Sequence, residues 1–505
     1  MKTPILGAAY VARSVNAAAN RCVNLFPEVV PEGGKEPAFL QRCPGLELVA
    51  IVGAGPIRGM WKFGDFLYVA SGGKLYRVDG NYAITELGLI NGSGPVSMAD
   101  NGVQLFVACN PDAFIYNANT GVFAQVTDPD FPGAVSVGYL DSYFVFNEPN
   151  SQRVWVTALL DGLSVDPLDF ASAEGNPDDI VSLIVDHREV WLFGNNTIEV
   201  WYNAGVADFP LARIEGAFME TGCLAPYSVA KLDNSVFWLG SDARGNGIVY
   251  RNQGYNGQRI STHAVEWQIQ QYAVLNDAIG YSYQQDGHSF YVLVFPTAQA
   301  TWVFDVSTGL WHERAYWDGV QYLRHRSNCQ ANFNGQVLVG DWETGFIYAF
   351  SQDTYNDNGQ AQRWLRSWRA LPTGQNTLKR TAHHTLQLDC ESGVGAGTVS
   401  TFFLLTENSV NLTTESGLQL VTSLVSLTDG ANPQVMLRWS DDGGHTWSNE
   451  HWAGMGKIGE YGKRVIWRRL GMTTKLRDRV YEISGSDPVK IAIMGAELSA
   501  TPTSA

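Results

Sequence analysis

Short runs of hydrophobic residues, each closed by glycines or by a polar turn, recur along most of the chain. In the stretch GMWKFGDFLYVASGGKLYRVDG, the run from Phe66 to Ala70 is too short for a helix and rich in aromatic side chains, so it predicts a buried strand. Gly72 and Gly73 can adopt positive φ and close a hairpin. The stretch therefore predicts an antiparallel hairpin as the repeating unit of the fold.

The same pattern returns at intervals of 37 to 53 residues. Polar turns precede the first strands of successive units at Gly64, Asn101, Asp141, Asp186, Asp233, Asp286 and Asn334. A degenerate period of this length, built from strands without helical periodicity, is typical of a β-propeller. We expect about seven blades over residues 46–360, with an N-terminal strand completing the last blade.

The remaining chain has a different pattern at each end. Within residues 1–45, long helices and central strands are excluded by Pro27, Pro31, Pro37 and Pro44, which predicts an extended N-terminal docking segment. Residues 361–500 contain strand-like runs such as HTLQLDC, VMLRWS, RVIWRRL and VKIAIMGAEL, and residues 501–505 form a tail. The predicted fold class is all-β: a β-propeller of about seven blades plus a C-terminal antiparallel β-sandwich-like domain.

Charge is distributed unevenly over these regions. The 505-residue chain has a net charge of −16, but residues 46–360 carry 14 Lys and Arg against 34 Asp and Glu, a balance of −20. An acidic propeller should repel free nucleic acid, although an acidic surface also favours solubility. The six cysteines are widely scattered without a CxxC or Cys/His cluster, so we expect reduced thiols, no metal site and no cofactor.

One motif fits the Asp-box pattern S-x-D-x-G-x-T-W at every defined position. Its residues are Ser440, Asp442, Gly444, Thr446 and Trp447. The pattern predicts a hairpin turn in which a carboxylate accepts backbone N–H bonds across the turn. The motif recurs in sialidases, where it is a fold element remote from the chemistry.

Catalytic residues are not predicted. The adjacent carboxylates Asp441–Asp442 and Asp178–Asp179 point to opposite faces of a strand, so neither pair can flank a glycosidic bond. The sequence also lacks a P-loop, a GxSxG motif and an HExxH motif. We therefore expect no enzymatic activity from these patterns.

A basic segment follows the Asp-box and gives a candidate assembly interface. Its members are Arg464, Arg468, Arg469, Lys475, Arg477 and Arg479. Alternation predicts that Arg464 and Arg468 share a face with Ile466 and Leu470. The row could meet acidic surface on a neighbouring subunit or tail protein, or it could be a solvated charged edge that prevents aggregation.

Several stretches resemble one known family in the same order along the chain. CVNLFPE, RCPGLELV, SGGKLYRV, VSMADNG, GNNTIEVW, KRVIWRRLG and SDPV are similar to the packaged-DNA stabilization, or tail hub and nozzle, proteins of short-tailed phages. The resemblance implies a homohexameric ring that closes the head after packaging and carries viral DNA during ejection, without sequence-specific binding. It also implies contacts with the portal adaptor, a tailspike or tail fibre and a tail needle or plug, in a virion tail assembled in the host cytoplasm.

Two functional hypotheses remain open at this point. The first is a structural tail hub. The second is a propeller that binds or hydrolyses host surface glycans, which the Asp-box and the many aromatic residues suggest. A single Asp-box outside the blade repeat favours the hub, because a glycan-directed propeller should repeat the motif at blade period.

Overall fold

The structure, a computed structural model, describes residues 1–15, 17–30, 32–173, 175, 178–206, 209–242, 245–372, 379–395, 398–403, 421–426, 430–474 and 479–503. The chain divides into two compact units. One comprises residues 46–351, and the other comprises residues 1–45 together with residues 352–505.

The N-terminal residues contribute five strands. They are β1 Tyr10–Val11, β2 Ala19–Asn20, β3 Cys22–Val23, β4 Leu25–Val29 and β5 Ala38–Arg42. None of these strands exceeds five residues, and the segment contains no helix among its described residues. The prediction that the prolines exclude central strands is wrong, because β5 lies between β4 and the strand Ala492–Pro502 in its sheet.

Thirty-one strands, one α-helix and one short 3₁₀ helix follow, up to residue 351. They are β6 Gly45–Ile51, β7 Ile57–Phe63, β8 Phe66–Ser71, β9 Lys74–Val78, β10 Ile84–Leu89, β11 Ser97–Asp100, β12 Gln104–Cys109, β13 Asp112–Asn117, β14 Phe123–Gln125, β15 Val137–Leu140, β16 Tyr143–Asn147, β17 Arg153–Val156, β18 Phe170–Ser172, β19 Ile180–Asp186, β20 Glu189–Gly194, β21 Ile198–Asn203, β22 Leu211–Met219, β23 Gly222–Cys223, the 3₁₀ helix Pro226–Ser228, β24 Ala230–Leu232, β25 Ser235–Asp242, β26 Gly245–Gln253, β27 Asn256–Arg259, α1 His263–Ile269, β28 Ile279–Gln285, β29 His288–Phe295, β30 Ala300–Asp305, β31 Leu310–Glu313, β32 Ala315–Trp317, β33 Tyr322–Arg324, β34 Ser327–Phe333, β35 Gln336–Asp341 and β36 Phe346–Ser351.

These strands form seven successive antiparallel blades. The blades are β7–β10, β11–β14, β15–β18, β19–β22, β23–β27, β28–β31, and β34–β36 joined by β6. The first blade confirms the predicted hairpin, since β8 pairs with β9 and Gly72 has a φ of +55°. The β-propeller predicted from the repeat is therefore present in this unit.

The continuous hydrophobic runs reflect the position of each blade between two others. In β8, Leu67 and Val69 pack into a core shared with Leu338 of the last blade. Their neighbours along the strand, Tyr68 and Ala70, pack on the opposite face with residues of the second blade. Because both faces of the strand are buried, both alternating sets of residues must be apolar.

An N-terminal strand completes the last blade, as the sequence predicted. Strand β6 lies beside β36 in the same sheet as β34 and β35. Val52, immediately after β6, donates its N–H to the carbonyl of Gly345 at 2.6 Å. The first and last blades are thus joined through chain segments that are about 300 residues apart, which leaves no open edge at this seam.

The second unit is completed by eleven more strands. They are β37 Asn356–Asp357, β38 Gln360–Ala361, β39 Trp364–Arg369, β40 Thr381–Cys390, β41 Thr398–Phe403, β42 Val421–Ser426, β43 Gln434–Ser440, β44 His451–Gly454, β45 Val465–Arg468, β46 Val480–Gly485 and β47 Ala492–Pro502. One layer follows the order β3-β39-β46-β43-β44, and another follows β4-β5-β47-β40-β45.

The two layers meet through inward side chains, which gives the sandwich that the sequence predicted. His383 of β40 is 2.6 Å from the hydroxyl of Tyr481 of β46. Trp467 of β45 donates its indole N–H to the carbonyl of His451 of β44 at 2.9 Å. Within the described part of the chain, no helix has the length and apolar character needed to cross a membrane.

Candidate functional site

The Asp-box forms the connection between β43 and β44. The Asp442 carboxylate accepts hydrogen bonds from Ser440 Oγ at 2.6 Å, His445 N at 2.9 Å, Thr446 N at 2.9 Å and Thr446 Oγ1 at 2.6 Å. These donors hold the pKa of Asp442 well below its usual range, led by the Ser440 and Thr446 hydroxyls. The four donors to this carboxylate therefore belong to its own turn.

The other motif residues complete the same turn. Ser440 Oγ also accepts from the Gly444 N–H at 2.8 Å, and Gly444 has a φ of +108°, in the region that favours glycine. The ring of Trp447 lies 4.7 Å from the guanidinium carbon of Arg438. These contacts lie in the connection between the paired strands β43 and β44.

The adjacent carboxylate pairs have separate structural contacts. Asp441 contacts Arg479, whereas Asp442 contacts the turn. Asp178 is buried and accepts from the N–H groups of Asn196 and Thr197 at 2.6 and 2.9 Å. Asp441 and Asp442 therefore contact different partners, as their adjacency in sequence predicted.

The basic segment is partly exposed and partly buried. Arg464 immediately precedes β45 and Arg468 ends it, both are exposed with the half-buried Ile466 between them, and Arg469 is also exposed. Leu470 does not share their face, because Arg469 adopts a φ of +60° and breaks the alternation, and Leu470 is buried. Lys475 and Arg477 lie outside the described residues.

Arg479 lies in the interior and cannot contribute to a surface interface. It is 2% exposed, and its Nε and Nη2 donate to the two oxygens of Asp441 at 2.6 and 2.8 Å. Nη1 donates to the Leu470 carbonyl at 2.7 Å, and the guanidinium stacks 5.1 Å from the centre of the Trp439 ring. The prediction that this arginine joins an exposed row is wrong, because a carboxylate 38 residues away along the chain neutralises it inside the sandwich.

Exposed apolar side chains of the same unit were missed from the sequence. Trp452 is 57% exposed, Ile458 is 61% exposed and Tyr461 is 77% exposed. Tyr461, Lys463 and Arg464 line one surface depression, whereas Trp452 pairs with Met436 on the outer face of the other layer. The sequence signal was the glycine-rich stretch GMGKIGEYGK, which is too polar to form a core strand yet contains Ile458 and Tyr461 besides the buried Met455.

The innermost strands of the blades, β7, β11, β15, β19, β24, β28 and β34, surround a cavity of about 850 Å³. Charged groups in its lining are paired with neighbours: Arg188 Nη2 is 2.9 Å from both oxygens of Asp141, and Trp61 donates its indole N–H to Asp100 at 2.8 Å. No group of three or more His, Cys, Asp or Glu residues in the described ranges is arranged to hold a metal ion.

Comparisons with known proteins identify related sequences over most of the chain. Residues 1–355 match a family model described as Bacteriophage P22 Gp10, beta-propeller, and residues 402–501 match one described as Bacteriophage P22 Gp10, beta-sandwich. A search of curated proteins gave no significant match.

Solved structures with a similar shape are distant in sequence. The computationally designed Ika8 protein is 13% identical with a TM-score of 0.38, and the match covers 60% of this chain and 99% of that one. A chain of the Mitotic Checkpoint Complex is 11% identical with a TM-score of 0.40, over 64% of this chain and 98% of that one. These similarities are too weak to support a functional argument.

Proposed function

The chain belongs to the bacteriophage P22 Gp10 family of structural phage proteins, and on that premise we propose that six copies form the tail hub, or nozzle, of a short-tailed phage. The hub stabilises the packaged DNA in the head and forms part of the channel through which DNA is ejected. The observation that carries the proposal is the match of two successive family models, in order, to the propeller and the sandwich.

Charge supports a role in DNA passage rather than DNA binding. Each cation that contacts a phosphate adds affinity and would slow a sliding duplex. Residues 46–360 carry 20 more carboxylates than cationic side chains. We propose that the wall facing the DNA is acidic or neutral, so that the duplex slides past without being held.

A tail hub also has protein partners. In this proposal the ring docks the portal adaptor on the head side and carries a tailspike or tail fibre and a tail needle or plug, in a virion tail assembled in the host cytoplasm. The chain itself performs no hydrolysis. The glycan-directed alternative loses its main support, because the Asp442 carboxylate accepts hydrogen bonds from backbone N–H groups of its own turn.

The native mass of the purified chain tests the ring. Six copies of the 55.4-kDa chain give about 332 kDa, so analytical ultracentrifugation at micromolar concentration should show a species of that mass. A species that stays at 55.4 kDa over the whole concentration range, alone and with the adaptor added, would contradict the hexameric hub.

A further inference from the structure

The two units of the chain have net charges of opposite sign. Residues 46–351 contain 14 Lys and Arg against 32 Asp and Glu, whereas the rest of the chain contains 20 against 18. Contacts between two propeller units, or between two basic surfaces, would place like charges together. This separation favours a contact between unlike surfaces of neighbouring copies, which is the kind that closes rings.

The acidic partner surface is a loop of the third blade, between β17 and β18, which we call the leucine loop (residues 157–169). Four of its leucines are exposed by 38% to 76%: Leu159, Leu160, Leu163 and Leu168. The loop also carries Asp161, Asp166 and Asp169, none of which forms an ion pair with a residue that the structure describes. It therefore presents apolar side chains among uncompensated carboxylates.

The leucine loop is held in place rather than loosely extended. Ala158 donates its N–H to the Ser164 carbonyl at 2.9 Å, and Leu160 donates its N–H to the Ser142 carbonyl at 2.9 Å. Leu160 has a φ of +58°, a conformation in which a bulky residue is rarely found. At this position glycine or asparagine would stabilise the fold more than an exposed leucine does. The leucine therefore indicates a role other than stabilising the folded chain.

The complementary surface is the basic face, which we define as Lys457, Lys463, Arg464, Arg468 and Arg469 with Ile458 and Tyr461. Among the described residues, none of its five cations has a carboxylate partner within ion-pair distance. Arg464 donates a hydrogen bond to the Gln387 side chain, which leaves its charge uncompensated. Trp, Tyr and Arg are the residues that most often anchor protein interfaces.

We propose that the leucine loop of one copy docks on the basic face of the next copy around the ring. The leucines cover Ile458 and Tyr461, and the loop carboxylates pair with Arg464 and Arg468. This inference rests on the proposed hexameric hub and names the surfaces that join its subunits.

Charge exchange tests the contact in the full-length chain. Arg464→Glu with Arg468→Glu should raise the concentration at which the ring dissociates at least tenfold, and Asp166→Lys with Asp169→Lys should do the same. A chain with all four substitutions should regain the ring of about 332 kDa, because the exchanged charges attract again. Leu168→Ser, which leaves the charge unchanged, should also weaken the ring.

Matched controls carry the same charge changes at exposed sites elsewhere on the chain. Lys62→Glu with Lys379→Glu, and Asp65→Lys with Asp286→Lys, should form rings as the wild type does. Melting temperatures close to that of the wild type show that each variant folds.

The outcomes separate this contact from the hub itself. If both exchanged variants form rings normally, the contact is overturned and the hub stands. The same conclusion follows if Arg464→Glu with Arg468→Glu leaves the ring intact but abolishes binding to DNA or anionic vesicles. Failure of the fourfold variant to recover the ring would also overturn it. A wild-type chain that never assembles would overturn both proposals.

Discussion

The buried ion pair between Arg479 and Asp441 gives the sharpest stability prediction. Asp441→Ala removes the acceptor of two guanidinium donors and leaves neutral partners, among them the Leu470 carbonyl at 2.7 Å and the Met472 carbonyl at 3.4 Å. Burial lowers the pKa of Arg479, but the hydrogen bonds to Asp441 outweigh this effect and raise the pKa above its usual value. Asp441→Ala removes this compensation, but the usual pKa of arginine is so high that the guanidinium stays charged at neutral pH even when burial lowers it.

An uncompensated charge in this position should be costly. Breaking a buried pair by removing one partner costs about 3–5 kcal/mol. In a unit of this size, about 3 kcal/mol corresponds to a fall in melting temperature of roughly 6–12 °C. The exposed pair between Lys490 and Glu391 is the control, and Glu391→Ala should change the unfolding free energy by at most about 1 kcal/mol.

Calorimetry of the full-length variants measures the effect, and a double substitution tests its cause. Asp441→Ala combined with Arg479→Met should be less destabilised than Asp441→Ala alone, because no buried charge is then left unpaired. The reasoning would be refuted by an Asp441→Ala variant no less stable than the Glu391→Ala control, or by a double variant whose losses simply add.

Three further predictions follow from individual contacts. Asp442→Ala should lower the melting temperature by more than Thr446→Val, which removes only one donor to the same carboxylate; unchanged stability together with lost glycan binding would reverse the structural interpretation of the Asp-box. Burial lowers the pKa of His325 to about 3 and that of His383 to about 4. The stability from keeping them neutral is therefore fully present above the unfolded value of about 6.5 and is lost as pH falls below it, by up to about 1.4 kcal/mol per pH unit for each histidine. Urea denaturation between pH 7.5 and pH 4.5 should show this slope, and His325→Gln should flatten it; an equal slope in that variant would exclude His325 as its source. A truncation ending at Asp286 removes the last blade and most of the sixth, so it should give no soluble folded fragment by size exclusion and circular dichroism.

Much of the propeller could be predicted from the sequence because each blade is built from local hairpins. The run from Phe66 to Ala70 carries its strand signal in its own composition, and the turn at Gly72 follows it directly. The contacts of the Asp-box are also local in sequence, because Ser440 and Thr446 lie within four residues of Asp442. Closure by β6 followed from the need to cover a free sheet edge.

The surfaces were harder to predict because they depend on distant contacts. Alternation assigned Arg479 to an exposed face, but the carboxylate that neutralises it comes from another strand. The positive φ of Arg469 turns Leu470 inward, and the residue pattern does not predict this change of backbone direction. Composition alone would bury Leu168 and Trp452, and only the folded chain shows that both are exposed.

The most direct test of the tail-hub account is the fate of DNA in phage particles that lack this chain. An early stop codon in its gene, in the phage that encodes it, should give heads that fill with DNA and then lose it, without infectivity. Supplying the chain from a plasmid should restore both DNA retention and infectivity. Infectious, DNA-retaining particles produced without the chain would contradict the account.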